Sequence, residues 1–186
     1  MVLTEKRIKL KMDSGILGSL FKRRWSIKDL MDIDETRQTK AASCIVSHLD
    51  TFHEIQKETL LGKFKRFFFR DKATINIYYV VFKFNVVSET GSVNTVYIKT
   101  QPDFNQTEYL SNKVQIYCSC KDFMYRSAWV LKQHESLYRS LETDTKLGSS
   151  LTEAPKASTK TSVLCKHAYA ALRYLATNYS TLMRNL

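Results

Sequence analysis

The chain has 186 residues, a formal net charge of +11, 44% hydrophobic and 25% charged residues, five glycines and two prolines. This composition excludes a disordered, collagen-like or low-complexity chain, and the length lets one domain bury a core without disulfides. Its apolar runs stop well short of the roughly 18 residues of a membrane helix.

Residues 1–33 read as an extended basic arm preceding a single α+β domain over 34–186. Within 1–28, eight basic residues face two acidic ones, and the scattered apolar positions show no period beyond one short helix near Ser26 to Met31. Charges interrupt the apolar pairs of MVLTEKRIKLKMDSG, so a secretory signal is not expected and the chain reads as cytoplasmic. From Asp34 onward, Ala41, Ile45, Leu49, Phe52 and Gln56 recur at spacings of three and four, which predicts an amphipathic helix over 34–57 capped by Asp34 or Asp32. Residues 62–72, GKFKRFFFRDK, mix aromatic and basic groups in a turn toward the sheet. The window 57–72 holds six basic residues against two acidic ones. Lys22, Arg23 and Arg24, with Lys63, Lys65 and Arg66, are thus candidate contacts to a polyanion such as DNA or to an acidic protein surface. A solvated basic face that serves solubility is the alternative.

TINIYYVVFKFNVV, 74–87, is β-branched and aromatic, hence a strand; its apolar parity shifts midway, which predicts either a bulge near 80–82 or a strand buried on both faces. SETGS at 88–92 makes a hairpin loop, VNTVYIKT at 93–100 the returning strand, and VQIYC at 114–118 a third strand. Asp122 then opens a helix predicted over 122–140. Residues 142–162, rich in Ser, Thr and Lys and containing Gly148 and Pro155, read as a polar loop. Segments 1–28 and 142–162 lack a period that could bury a face and are expected to contact partners outside the core. A terminal helix places Ala168, Leu172, Leu175 and Tyr179 on one stripe. The expected fold is α+β: a small antiparallel sheet of about three strands with zinc-linked helices, preceded by the basic arm and one amphipathic helix.

Four cysteines in a reducing compartment are metal ligands or buried thiols rather than disulfides. Cys118 and Cys120 form a C-x-C pair leaving a strand, and Cys165 and His167 a C-x-H pair entering a helix. Together they make a Cys3His set, a complete tetrahedral sphere for Zn²⁺ with no position left for water, and a closed sphere is structural. The 44 residues between the pairs make a long loop, whose closure cost grows only logarithmically with length. Three buried apolar thiols beside a satisfied histidine are the alternative. Asp122 and Arg126, four residues apart, lie next to the set; Arg126 can hydrogen-bond a thiolate as an outer partner or pair with Asp122 on the surface. His134 is a candidate substitute ligand. Cys44, near His48 on the first predicted helix, reads as a core thiol, and His48 and His53 lack the spacing of a second metal site. No phosphate loop, paired-carboxylate motif or nucleophile elbow occurs, which disfavours an enzyme.

The C-x-C and C-x-H pairs in this β-β-α setting resemble the SWIM-type zinc finger, whose pattern matches Cys118, Cys120, Cys165 and His167 one for one. The longer strings YCSCKDFMYRSAWVLKQ and LCKHAYAALRYL are similar to a group of tailed-bacteriophage proteins carrying a YCSC-x-DF-x-YR block before an LCKH block; Lys121 stands where Pro is more frequent. The likeness covers roughly 113–182. It implies a structural zinc, DNA or protein binding, and a virion component of the portal or neck region, homo-oligomeric or ring-forming, near DNA, with other virion proteins as partners and no membrane. Assembly would take place in the host cytoplasm. A stand-alone nucleic-acid-binding adaptor is the second expectation.

Overall fold

The computed structural model describes residues 24–32, 35–59, 74–102, 109–147, 163–184 and 186. Its most local instruction is SETGS. Gly91 there adopts φ +76°, a left-handed backbone that suits glycine, and the Ser88 and Ser92 hydroxyls meet at 2.7 Å. This turn joins β2 (Thr74–Val87) to β3 (Val93–Thr100) in unbroken antiparallel register from Val87↔Val93 to Val80↔Thr100. β4 (Val114–Cys118) pairs with the far side of β3, from Thr100↔Val114 to Val96↔Cys118.

The sheet has a fourth member where the sequence leads to three, and it replaces most of the predicted helix. α1 (Ile27–Met31) is followed by α2 (Glu35–Ala41), which stops at Ala41; Ile45–Thr59 is then β1, antiparallel to β2 along its whole length. The strand order is β1-β2-β3-β4, an antiparallel meander with β1 at one edge. The spacing that suggested a helix over 34–57 does not mark a buried stripe: Ile45 is 71% and Leu49 49% exposed. Pairing with β2 satisfies the inward-pointing backbone groups of β1 from Ile45 to Thr59 apart from the irregularity at Leu49, and Ile, Val, Thr and Phe suit a half-buried pleated surface. The parity shift seen in the sequence has its cause here too. The register irregularity sits in β1, between His48 and Asp50, while Val80, Val81 and Phe82 of β2 are all fully buried, so β2 is covered on both faces.

On one face lie Val80, Phe82, Phe84 and Val86 with Val96, Ile98, Val114, Ile116 and Cys118, all buried. Over them runs α5 (Lys166–Arg184), whose Ala168, Leu172, Leu175 and Tyr179 are buried as its stripe predicts. Phe82 meets Tyr179 at 6.2 Å and Phe84 meets Tyr174 edge-on at 5.8 Å between ring centres. Residues 24–32, assigned from sequence to the arm, are built into this layer. Ser26 and Asp29 form a reciprocal capping box, Ile27 and Leu30 are 0% and 1% exposed, and the Val114 amide donates to the Trp25 carbonyl.

The opposite face carries Tyr79, Tyr97, Lys99 and Tyr117 and is covered by residues 121–147. The helix predicted over 122–140 is shorter and composite: a π-helical stretch, Phe123–Ser127, runs into α3 (Ala128–Gln133). Glu135 then takes φ +55°, and residues 136–138 line up along the outer edge of β4, with the Ile116 amide donating to Ser136 O at 2.8 Å. The start of the predicted polar loop is helical. α4 (Leu141–Leu147) begins with a reciprocal cap between Ser140 and Thr143 and buries Thr143 and Leu147, so this part of 142–162 belongs to the core; 148–162 lie outside the described residues. No helix among the described residues is long and apolar enough to cross a membrane.

Candidate metal centre

Cys118 is the last residue of β4 and, by strand parity, faces α5. Ser119 prolongs the pairing for one more residue, donating from its amide to Thr95 O and accepting the Thr95 amide on Oγ, both at 3.0 Å. The chain then bends into the π-helical stretch at Cys120. The Phe123 amide donates to Cys120 Sγ at 3.3 Å, three residues ahead. The second pair repeats this device: Cys165 precedes α5, and the Ala168 amide donates to its Sγ at 3.3 Å. Each sulfur therefore occupies the capping position of a helical segment, where free N–H groups and the positive end of the peptide dipoles favour a thiolate. The single residue between ligands suffices because one pair stands where a strand ends and the other where a helix begins.

His167, in the first turn of α5, completes the group. The ligand atoms of Cys118, Cys120, Cys165 and His167 lie within 4.8 Å of one another, and all four residues are buried. Burial above all pushes the thiols of Cys118 and Cys165 well above the ordinary thiol range, whereas hydrogen bonds from Cys118 and then Cys165 pull Cys120 far below it. Three clustered thiols share this burial, and a dication is what offsets the cost of holding them as thiolates. The imidazole supports the same conclusion: Nε2 lies 3.4 Å from the Asn94 side-chain nitrogen, while Nδ1 is buried with no hydrogen-bond partner. Zn–S bonds of about 2.3 Å set tetrahedral edges of about 3.8 Å, so closing on zinc needs a contraction of about 1 Å at most. Three sulfurs and an imidazole suit zinc and leave no ligand to be found elsewhere.

Residues 95–128 and 156–176 match the family model described as SWIM zinc finger; the first segment holds Cys118 and Cys120 and the second Cys165 and His167. The pattern and the buried cluster agree. This centre is similar to a SWIM-type zinc finger site. The two matched segments amount to well under half of the chain. No curated protein and no solved structure matches it.

The SWIM pairs staple the end of β4 to the start of α5, and their neighbours fall out differently from the sequence reading. Asp122 accepts ion pairs from Arg126 at 3.2 Å and from Arg37 at 3.3 Å, so Arg126 takes the carboxylate and not a thiolate. Arg37 was not singled out by the sequence because its partner is 85 residues away. His134 is no substitute ligand; its ring stacks on Trp25 at 3.9 Å. Cys44 stands in the turn between α2 and β1, half-buried, with burial the main cause raising its thiol pKa. His48 meets Thr51 Oγ1 at 2.7 Å and His53 is exposed on β1. Arg24 is half-buried with its Nε unpartnered, while Lys22, Arg23, Lys63, Lys65 and Arg66 lie outside the described residues.

Two groups escaped the sequence reading. Asn94 is one; its parity with Val96 and Ile98 put a polar residue on the buried face, and that signal was legible. The other is a polar cluster on the far face, where Glu54 accepts from Lys99 Nζ and from the Tyr138 hydroxyl, each at 2.7 Å, and Tyr97 donates to Glu142 at 2.9 Å. Its members come from β1, β3, the segment after α3 and α4, and no local pattern joins them.

Proposed function

We propose that this chain is a non-enzymatic subunit of a larger assembly, with zinc serving as a structural staple. The observation that carries the reading is the ligand set: three buried cysteines and one buried histidine fill a tetrahedral sphere with protein donors, and a sphere of that kind holds elements together instead of offering an open position to substrate. The basic excess, +11 for the chain, suits a neighbour that is polyanionic or acidic. The likeness to tailed-phage proteins supplies the setting: a virion part of the portal or neck region, with Lys22, Arg23, Arg24, Lys63, Lys65 and Arg66 toward DNA or an acidic protein.

Elemental analysis of the purified chain is expected to give one zinc per molecule. Native mass spectrometry of the same sample is expected to show a defined homo-oligomer, and proteomics of purified particles to find the chain at fixed copy number. A monomer or dimer that binds duplex DNA with an affinity falling steeply in salt would instead make it a free-standing adaptor. Turnover that disappears with a single substitution in this chain would overturn the non-enzymatic reading.

A further inference from the structure

We propose that Asn94 is a positioning residue of the zinc site, whose side-chain amide holds Nε2 of His167 and thereby commits the imidazole to bind the metal through Nδ1. This rests on the zinc reading above and adds which nitrogen coordinates and what selects it.

Asn94 belongs to β3, opposite Val86 of β2, so its place is set by the sheet and not by the helix that carries His167. It is 9% exposed and His167 6%, which leaves little room for water to satisfy either ring nitrogen. Nε2 lies 3.4 Å from the Asn94 amide nitrogen, whereas Nδ1 is buried and unpartnered. A neutral imidazole has one protonated nitrogen and one with a lone pair. Metal on Nδ1 uses the lone pair there and leaves the proton on Nε2, which then needs an acceptor. The Asn94 amide provides one on turning about its last bond, which exchanges Nδ2 for Oδ1. Little holds it the other way round, since its other contact, Nδ2 to Ser92 O, is 3.5 Å long. Metal on Nε2 would demand the opposite: Asn94 displaced from the ring, and a buried N–H on Nδ1 facing no acceptor. Zinc-bound histidines characteristically donate their second N–H to such an outer partner, and its loss weakens metal binding about 10- to 100-fold.

The test uses the full chain loaded with zinc. In ¹⁵N-histidine-labelled protein, long-range proton–nitrogen correlations are expected to show His167 metallated at Nδ1 and protonated at Nε2; the reverse tautomer overturns the proposal without any variant being made. Chelator competition then compares Asn94→Asp, which keeps an acceptor, with Asn94→Leu, which keeps the size and loses it. Asp is expected to hold zinc within about threefold of the parent, and Leu about 10- to 100-fold more weakly. Equal affinity for Leu and the parent overturns the proposal, and if the Leu variant does not fold, the tautomer and the Asp variant decide. Zinc held through Nε2 would defeat this assignment and leave the zinc site standing, whereas a folded parent chain without zinc would defeat both.

Discussion

A sulfur placed just before a helix receives a backbone N–H and the favourable end of the peptide dipoles, and this chain uses the arrangement at both Cys120 and Cys165. Replacing Cys118, Cys120, Cys165 or His167 by Ala leaves an incomplete sphere around a charged centre. Each change is expected to abolish zinc retention in elemental analysis and to cost several kcal/mol in urea unfolding. Cys44→Ala, by contrast, is expected to leave the zinc content unchanged, because Cys44 sits in the turn before β1 and is not among the four clustered ligands. A second residue-level expectation concerns Gly91. Nothing lies within 4 Å of where its Cβ would stand, so Gly91→Ala meets no clash, and the cost is purely that of φ +76°. Urea unfolding is expected to show a loss of about 1 kcal/mol with unchanged zinc binding. The four ligands were legible because short-range spacing placed each pair at an element boundary. Asn94 was legible only in part: strand parity gave its face, but its partner is 73 residues away.

β1 shows how a helix-like spacing loses to sheet pairing. Ile45, Leu49, Phe52 and Gln56 satisfy a period near four, yet a long antiparallel ladder with β2, interrupted only between His48 and Asp50, and the anchoring of Glu54 decide the outcome. Glu54 ties this edge strand to β3 through Lys99, which is 7% exposed and also lies over the Tyr79 ring at 4.4 Å, and to the segment after α3 through Tyr138. Burial, followed by the hydrogen bond to Glu54, pushes the Tyr138 hydroxyl well above the usual phenol range, so it stays a donor at all ordinary pH. Glu54→Ala would strand a buried ammonium and a buried hydroxyl together. Because the Glu54 side chain is 28% exposed, solvent offsets part of the full cost of breaking a buried pair, and a loss of about 2–3 kcal/mol is expected from urea unfolding. Lys146→Ala, which removes only the exposed i,i+4 pair with Glu142, is expected to cost about 0.5 kcal/mol or less in the same assay.

Over the whole molecule, the centre joins the last strand to the last helix across 44 intervening residues, and that span contains most of the layer covering the second sheet face. The opposite layer begins earlier than the charge pattern suggested. Residues 24–28 include the Ser26 cap, the fully buried Ile27, and Trp25, which stacks on His134 and donates its amide to Ser136 Oγ. A chain truncated through residue 28 is therefore expected to be less stable than one truncated through residue 23. Cap, apolar burial and ring stacking together put the difference at about 3–5 kcal/mol, read as a lower midpoint in thermal and urea unfolding of the zinc-loaded proteins.

The α+β class, the β2–β3 hairpin, β4, the buried stripe of α5 and the four residues that cluster as candidate ligands are legible in the amino-acid sequence. Each of these is written in neighbours a few residues apart: a glycine where φ must be positive, strict alternation, a repeat near 3.6, ligand pairs separated by one residue. Long-range packing, by contrast, makes 45–59 a strand, breaks the helix after Cys120 at Glu135 so that 136–138 lie along β4, and brings Glu54, Lys99 and Tyr138 together. Those outcomes depend on hydrogen bonds and ion pairs between residues tens of positions apart, and for such segments more than one local period is compatible with the same amino acids until a partner strand or helix satisfies their backbone.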